Sequence, residues 1–240
     1  MKKILLSTLL LIVVHQGFSQ VLISLIFGDK LNSPKIEFGL DGGLSLSTIN
    51  GAPGAENVSG LNLGFYFDIK TKNPQWIFST GVVVKGPMGA KGLPVYPLSD
   101  ESLNEAFKGG TVTTQLGYFY VPFTMKYAMK NRIFLKGGIQ LGLINKTKDQ
   151  FLKTVEDEDD LSYTLNRKGD YHPIDAGLAA GLGYRLTKGN GMNVGINYYH
   201  GLLDAEVSDA VADKFNRAFY FNIGIPIGKG KAAKKAAEKE

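Results

Sequence analysis

From Ile36 to Ile227 the chain alternates apolar positions with polar, charged or glycine positions in eight separate stretches. In the first, Ile36, Phe38, Leu40, Leu44 and Leu46 are set against Glu37, Gly39, Asp41, Gly43, Ser45 and Ser47. Others place Leu61, Leu63, Phe65, Phe67 and Ile69 against Asn62, Tyr66, Asp68 and Lys70, and Phe119, Val121, Phe123 and Met125 against Tyr118, Tyr120, Thr124 and Lys126. A period of two is the mark of a strand with two unlike faces. The remaining stretches cover 76–85, 133–144, 174–185, 193–202 and 218–227. The pattern predicts eight strands and an all-β antiparallel barrel.

Which face turns outward decides the class. The apolar face carries no Asp, Glu, Lys or Arg in any stretch, whereas the other carries Glu37, Asp41, Asp68, Lys70, Lys85, Lys126, Lys136, Asp175 and Arg185. A soluble barrel turns its charges to water; a membrane barrel buries them, because lipid penalises charge. Twelve of the 43 positions on the charged face are glycine, which suits the crowded lumen of a narrow barrel better than a solvated surface. Four acids against five bases can pair internally. The connections alternate as well. Short turns lie around Lys72-Asn73-Pro74, Lys130-Asn131 and Gly189-Asn190-Gly191, and long segments lie near 50–60, 86–112, 146–172 and 204–216. Outer-membrane barrels have short periplasmic turns and long external loops. Trp76, Tyr127 and Tyr184 fall at one end of the apolar face and Phe119, Tyr198, Phe219 and Phe221 toward the other, as two interfacial girdles require. Pairing Leu186 with Met192 sets Tyr184 beside Val194 and Ala180 beside Tyr198, so apolar residues meet apolar residues. The expected fold is an eight-stranded antiparallel up-and-down transmembrane β-barrel over 35–228.

Composition changes this picture mainly at the ends. The net charge of +5 comes from Lys2 and Lys3 and from a tail, 229–240, with five Lys and two Glu; 21–228 holds 20 bases and 20 acids. The basic balance is therefore no nucleic-acid footprint. Residues 1–20 read as a signal peptide, with an apolar run from Ile4 to Val14 too short to span a bilayer and cleavage near Gln20. Residues 21–34 form a lead-in segment, and the tail is expected in the periplasm. The chain has no Cys, which excludes disulfides, thiolate metal sites and a cysteine nucleophile.

Several runs resemble the PorT-like family of eight-stranded outer-membrane barrels. They are Phe27-Gly28-Asp29-Lys30-Leu31-Asn32 leading into Lys35-Ile36-Glu37-Phe38-Gly39-Leu40, Tyr120-Val121-Pro122-Phe123-Thr124-Met125-Lys126-Tyr127, Asp175-Ala176-Gly177-Leu178 to Gly183-Tyr184-Arg185-Leu186, and Asn197-Tyr198-Tyr199-His200-Gly201-Leu202. The resemblance implies an outer-membrane location in a Gram-negative envelope and, for a few members, a part in assembling a protein-secretion system. The chain departs from many such barrels by closing on Ile225-Pro226-Ile227, where an aromatic residue read by the insertion machinery often stands.

Candidate chemistry is sparse. His172 lies between Asp170 and Asp175 with Ser162 upstream, a set from which a lipid-modifying triad could be built if the hydroxyl reached the imidazole. His200 falls on the lipid face. Glu156-Asp157-Glu158-Asp159-Asp160 offers five carboxylates to a divalent cation without the spaced ligands of a calcium loop. The expectation is a non-enzymatic barrel without cofactor or metal, its nine charges forming a lumen network with Tyr66, Tyr118, Tyr120, Tyr199 and Tyr220. Its partners are membrane lipid, lipopolysaccharide, the outer-membrane insertion machinery and a protein at the loops or tail. Alternatives are an accessory factor in secretion or envelope assembly, a lipid-modifying enzyme, and a soluble secreted barrel.

Overall fold

A computed structural model describes residues 31–155, 159–187, 191–208 and 213–228. The expected signal peptide, most of the lead-in, the tail, the core of the acidic run and the tip of the Gly-Asn-Gly turn lie outside the described residues. Those described form nine strands: β1 (Ile36–Asn50), β2 (Val58–Lys70), β3 (Trp76–Pro94), β4 (Thr111–Ala128), β5 (Ile133–Val155), β6 (Asp159–Asn166), β7 (Ile174–Arg185), β8 (Asn193–Gly201) and β9 (Phe215–Pro226). One short helix, α1 (Glu101–Ala106), sits between β3 and β4. All pairings are antiparallel, and β1 pairs with β9 to close a ring of eight strands. Closure matters because any open edge would leave backbone N–H and C=O groups without partners in lipid.

The ring turns its apolar side outward. Leu44, Leu61 and Leu143 are 55%, 54% and 59% exposed, whereas Asp68 is 4% and Tyr120 0% exposed. Burying charge while presenting a continuous leucine, isoleucine and phenylalanine surface is stable only where the surroundings are themselves apolar. The predicted register holds: Tyr184 faces Val194, Ala180 faces Tyr198, and the Leu186 amide donates to the Met192 carbonyl at 2.8 Å. Trp76 stacks near Tyr127 at 5.0 Å by the short turns, and Tyr198 near Phe219 at 4.8 Å toward the other end.

Some lumen glycines answer to the rings opposite them. A Cβ on Gly142 would lie 2.6 Å from the Tyr120 ring, and one on Gly183 would lie 2.2 Å from Phe134. Gly39, Gly142 and Gly183 leave room for the rings of Tyr66, Tyr120 and Phe134, whereas Gly43, Gly64, Gly81, Gly138 and Gly177 lie against the backbone of a neighbouring strand.

Two features depart from the sequence reading. The chain has nine strands among the described residues, because β6 pairs with the far half of β5 outside the ring. The long connections are also structured: β3, β4 and β5 run well past the apolar band, and the segment expected as a loop at 146–172 is largely a β5–β6 hairpin. Bulges hide this continuation. Gly64 faces Val83 but Leu63 faces Lys85, leaving Val84 as an extra residue. On β5, Tyr118 faces Ile144 but Gly117 faces Lys146, leaving Asn145 extra. An extra residue shifts the alternation by one and moves every later side chain to the opposite face.

Candidate functional site

The lumen is built in layers. At the short-turn mouth the Arg185 guanidinium donates to Glu37 Oε2 at 2.7 Å, and the Tyr66 hydroxyl donates to Glu37 Oε1 at 3.3 Å. One layer further in, Lys126 Nζ donates to Asp68 Oδ2 at 2.6 Å and Ser79 donates to Oδ1 at 2.6 Å; the ammonium also lies 4.7 Å from the Phe134 ring. Asp41 accepts from Asn222 at 2.9 Å and shares a cavity with Lys136. Two such cavities, of about 50 and 60 Å³, share Asp41, Lys136, Asn197 and Asn222 in their walls. Each has room for water, and Gln140 Nε2, Asn62 Oδ1 and Asn222 Oδ1 have no protein partner, so water would find its hydrogen bonds there.

Above the cavities a tyrosine layer fills the barrel. Tyr118 and Tyr120 stack at 5.1 Å, Tyr120 lies 5.7 Å from Tyr199, and the Tyr220 hydroxyl reaches Met88 Sδ at 3.9 Å. Asp175 Oδ2 accepts from Tyr120 at 3.4 Å and from Asn216 at 3.1 Å. Met88, Leu116, Ile49 and Tyr171 continue this packing toward the long-loop end.

Of the nine charges read from the sequence, Glu37, Asp41, Asp68, Lys126, Lys136, Asp175 and Arg185 face the lumen. Lys85 does not. The Val84 bulge turns it to the outer surface opposite Leu63, where it is exposed. Lys70 keeps the inward phase but lies exposed at the rim, donating to the Pro34 carbonyl at 3.1 Å. Consequently Lys85→Gln is expected to change stability by no more than about 0.5 kcal/mol. Lys126→Gln, which strands Asp68, is expected to cost about 3–5 kcal/mol. Urea titration of the folded, heat-modifiable band on unboiled gels measures both.

A second cluster, absent from the sequence reading, stands outside the apolar band. Asp149 on β5 is 1% exposed and accepts from Thr114 at 2.6 Å, Tyr96 at 2.8 Å and Arg167 at 2.9 Å. Burial, then the Asp149 charge, hold the Tyr96 phenol above its ordinary value, so it stays a donor. Beside this cluster Phe107, Val112 and Phe151 form a small apolar core, with Tyr163 of β6 against it. The external segments thus have a core of their own.

The triad is not assembled. Ser162 accepts from Gln150 at 3.0 Å, the Arg167 guanidinium engages Asp170, and the backbone N–H of His172 donates to Ala205; no hydrogen bond joins Ser162 to His172. His200 lies on the outer face, where its Nδ1 is 3.5 Å from the Tyr198 hydroxyl. No cluster of metal-ligating side chains occurs among the described residues; the side chains of the acidic run, 156–160, lie outside them.

Residues 18–206 match the family model of the outer membrane protein β-barrel domain. No curated protein sequence matches the chain. Solved structures with similarity include Ail, the attachment invasion locus protein of Yersinia pestis, at 13% identity, covering 80% of this chain and 99% of that one with a TM-score of 0.42. Neisserial surface protein A is 10% identical, covering 80% of this chain and 96% of that one with a TM-score of 0.37. OprG of Pseudomonas aeruginosa is 14% identical, covering 81% and 95% with a TM-score of 0.32.

Proposed function

The chain belongs to the outer membrane protein β-barrel domain family and is an outer-membrane protein; from that premise we propose that it is a non-enzymatic barrel with a closed lumen, working through its external cap. The observation that carries this reading is the second core. A barrel needs only its apolar band and filled lumen to be stable in lipid, yet here β3 to β6 extend beyond that band and spend a buried carboxylate on fixing one hairpin. Order that the barrel itself does not require points to a surface that must keep its shape for a partner. The engagement of Ser162 and Asp170 by Gln150 and Arg167 supports a binding role over a catalytic one. Membership in the PorT-like subset, with its link to secretion-system assembly, is a finer proposal that rests on the sequence runs in β1, β4, β7 and β8.

Deleting residues 147–166 tests the reading. The deleted barrel is expected to stay in the outer-membrane fraction with heat-modifiable mobility. Adherence of expressing cells to matrix-coated surfaces, and their mutual aggregation, are both expected to fall to the level of cells lacking the protein. Adherence and aggregation unchanged by the deletion would refute a role for the cap.

A further inference from the structure

Residues 21–228 are neutral in sum, yet the exposed charges at the two ends of the barrel differ. At the short-turn end, which faces the periplasm in barrels of this class, the exposed charged residues described are Lys35, Lys70, Lys72, Lys130 and Arg132. The acids nearest that end, Glu37 and Asp68, are buried and already paired with Arg185 and Lys126. The opposite end is mixed, with exposed Glu56, Asp100, Glu101, Glu105, Asp170 and Asp213 beside exposed Lys91, Lys108, Lys146 and Lys168.

The bases follow one arc of the rim, from β1 to β5. Lys35 precedes β1, Lys70 and Lys72 flank the β2–β3 turn, and Lys130 and Arg132 flank the β4–β5 turn. What favours lipid over a protein partner is the level of these bases along the barrel axis. That level is fixed. Trp76 opens β3 next to the Lys72 turn and contacts Tyr127, the pair of rings expected where acyl chains give way to headgroups.

We propose that this rim binds the anionic phospholipid headgroups of the periplasmic leaflet, its bases meeting phosphate just beyond the Trp76–Tyr127 girdle. The inference concerns the end of the barrel remote from the cap and stands whether or not the cap binds a partner.

Trp76 is the single tryptophan of the chain, so its fluorescence reports lipid at the proposed surface. The full-length chain would be refolded into vesicles of equimolar phosphatidylglycerol and phosphatidylcholine, with one or the other lipid brominated. Brominated phosphatidylglycerol is expected to be about fivefold enriched at Trp76 over brominated phosphatidylcholine, the preference one basic residue near a membrane surface supplies. The enrichment is expected to shrink in 1 M salt, where the screening length is about three times shorter than at 0.1 M, and to vanish in a Lys70→Gln, Lys72→Gln, Lys130→Gln, Arg132→Gln variant. Should that variant fail to show a heat-modifiable band, the double variant Lys130→Gln, Arg132→Gln and the salt series on the unaltered protein carry the test. Equal quenching by the two lipids at low salt would overturn the proposal and leave the rim to an acidic periplasmic protein. A preference that survives both substitution and salt would overturn it as well.

Discussion

Replacing Asp149 with Ala is expected to release the external cap from the barrel without unfolding the barrel. The carboxylate is the common acceptor for Thr114 on β4, Tyr96 in the β3–β4 connection and Arg167 after β6. Thr114 faces Asp149 across the β4–β5 ladder and β6 pairs with β5, whereas Tyr96 and Arg167 reach the carboxylate from the connections, beside the Phe107, Val112 and Phe151 core. Removing the acceptor leaves the Tyr96 and Thr114 hydroxyls and one arm of the Arg167 guanidinium without this partner, while Asp170 still engages Arg167. Each buried donor left without its partner costs about 1–3 kcal/mol, enough to loosen a hairpin that stands away from the ring. Residues 133–143 of β5 are held separately, between β4 and β7, so the loss stays local. Hydrogen exchange followed by mass spectrometry checks this. Peptides from 147–166 should exchange at close to unprotected rates, and those from 133–143 should stay as slow as in the parent. Asp149→Asn, which keeps the shape but not the charge, is expected to fall between the two. Unchanged protection over 147–166 in the Ala variant would show that the apolar core alone holds the cap.

How much of this was legible in the sequence follows from where lipid is. Within the apolar band the two faces differ as strongly as chemistry allows, leucine against aspartate, so the ring, its register and its inside-out sense could be read by parity alone. Beyond the band the outer face is polar again and the contrast falls. Thr147, Asp149 and Phe151 still alternate inward, but against Lys146, Lys148 and Gln150 they look like a charged loop. The bulges at Val84 and Asn145 compound this, because each breaks the period where the contrast is already fading. Parity places Lys85 in the lumen for that reason: one extra residue before it reverses its side, and nothing in a single sequence announces a bulge. The rim was hidden differently. Charge summed over the whole barrel is zero, and only the positions of the turns show that the short-turn end exposes bases and, among the described residues, no acids.

The tyrosine layer should decide whether the barrel conducts. Tyr120 has no exposed surface, stacks on Tyr118, touches Tyr199 and fills the space left by Gly86 and Gly142. Tyr120→Ala is expected to cost about 3–5 kcal/mol, the range for deleting a large buried ring. Tyr120→Phe, which forfeits only a 3.4 Å hydrogen bond to an Asp175 carboxylate that Asn216 also serves, should cost about 1 kcal/mol. Loss of one ring is not expected to open a path, because Met88, Leu116 and Tyr171 continue the plug outward. A barrel with Ala at Met88, Tyr120, Tyr199 and Tyr220 thins both layers, leaving Tyr118, Leu116 and Tyr171, and is expected to join the water-sized cavities around Asp41 and Lys136 to the external side. In planar bilayers the parent is expected to carry no steady current, and this fourfold variant a resolvable ohmic one. The remaining constriction, lined by the Lys126–Asp68 and Arg185–Glu37 pairs, makes that current sensitive to Lys126→Met. A parent that conducts as well as the variant would mean the tyrosines line a pore and do not close one.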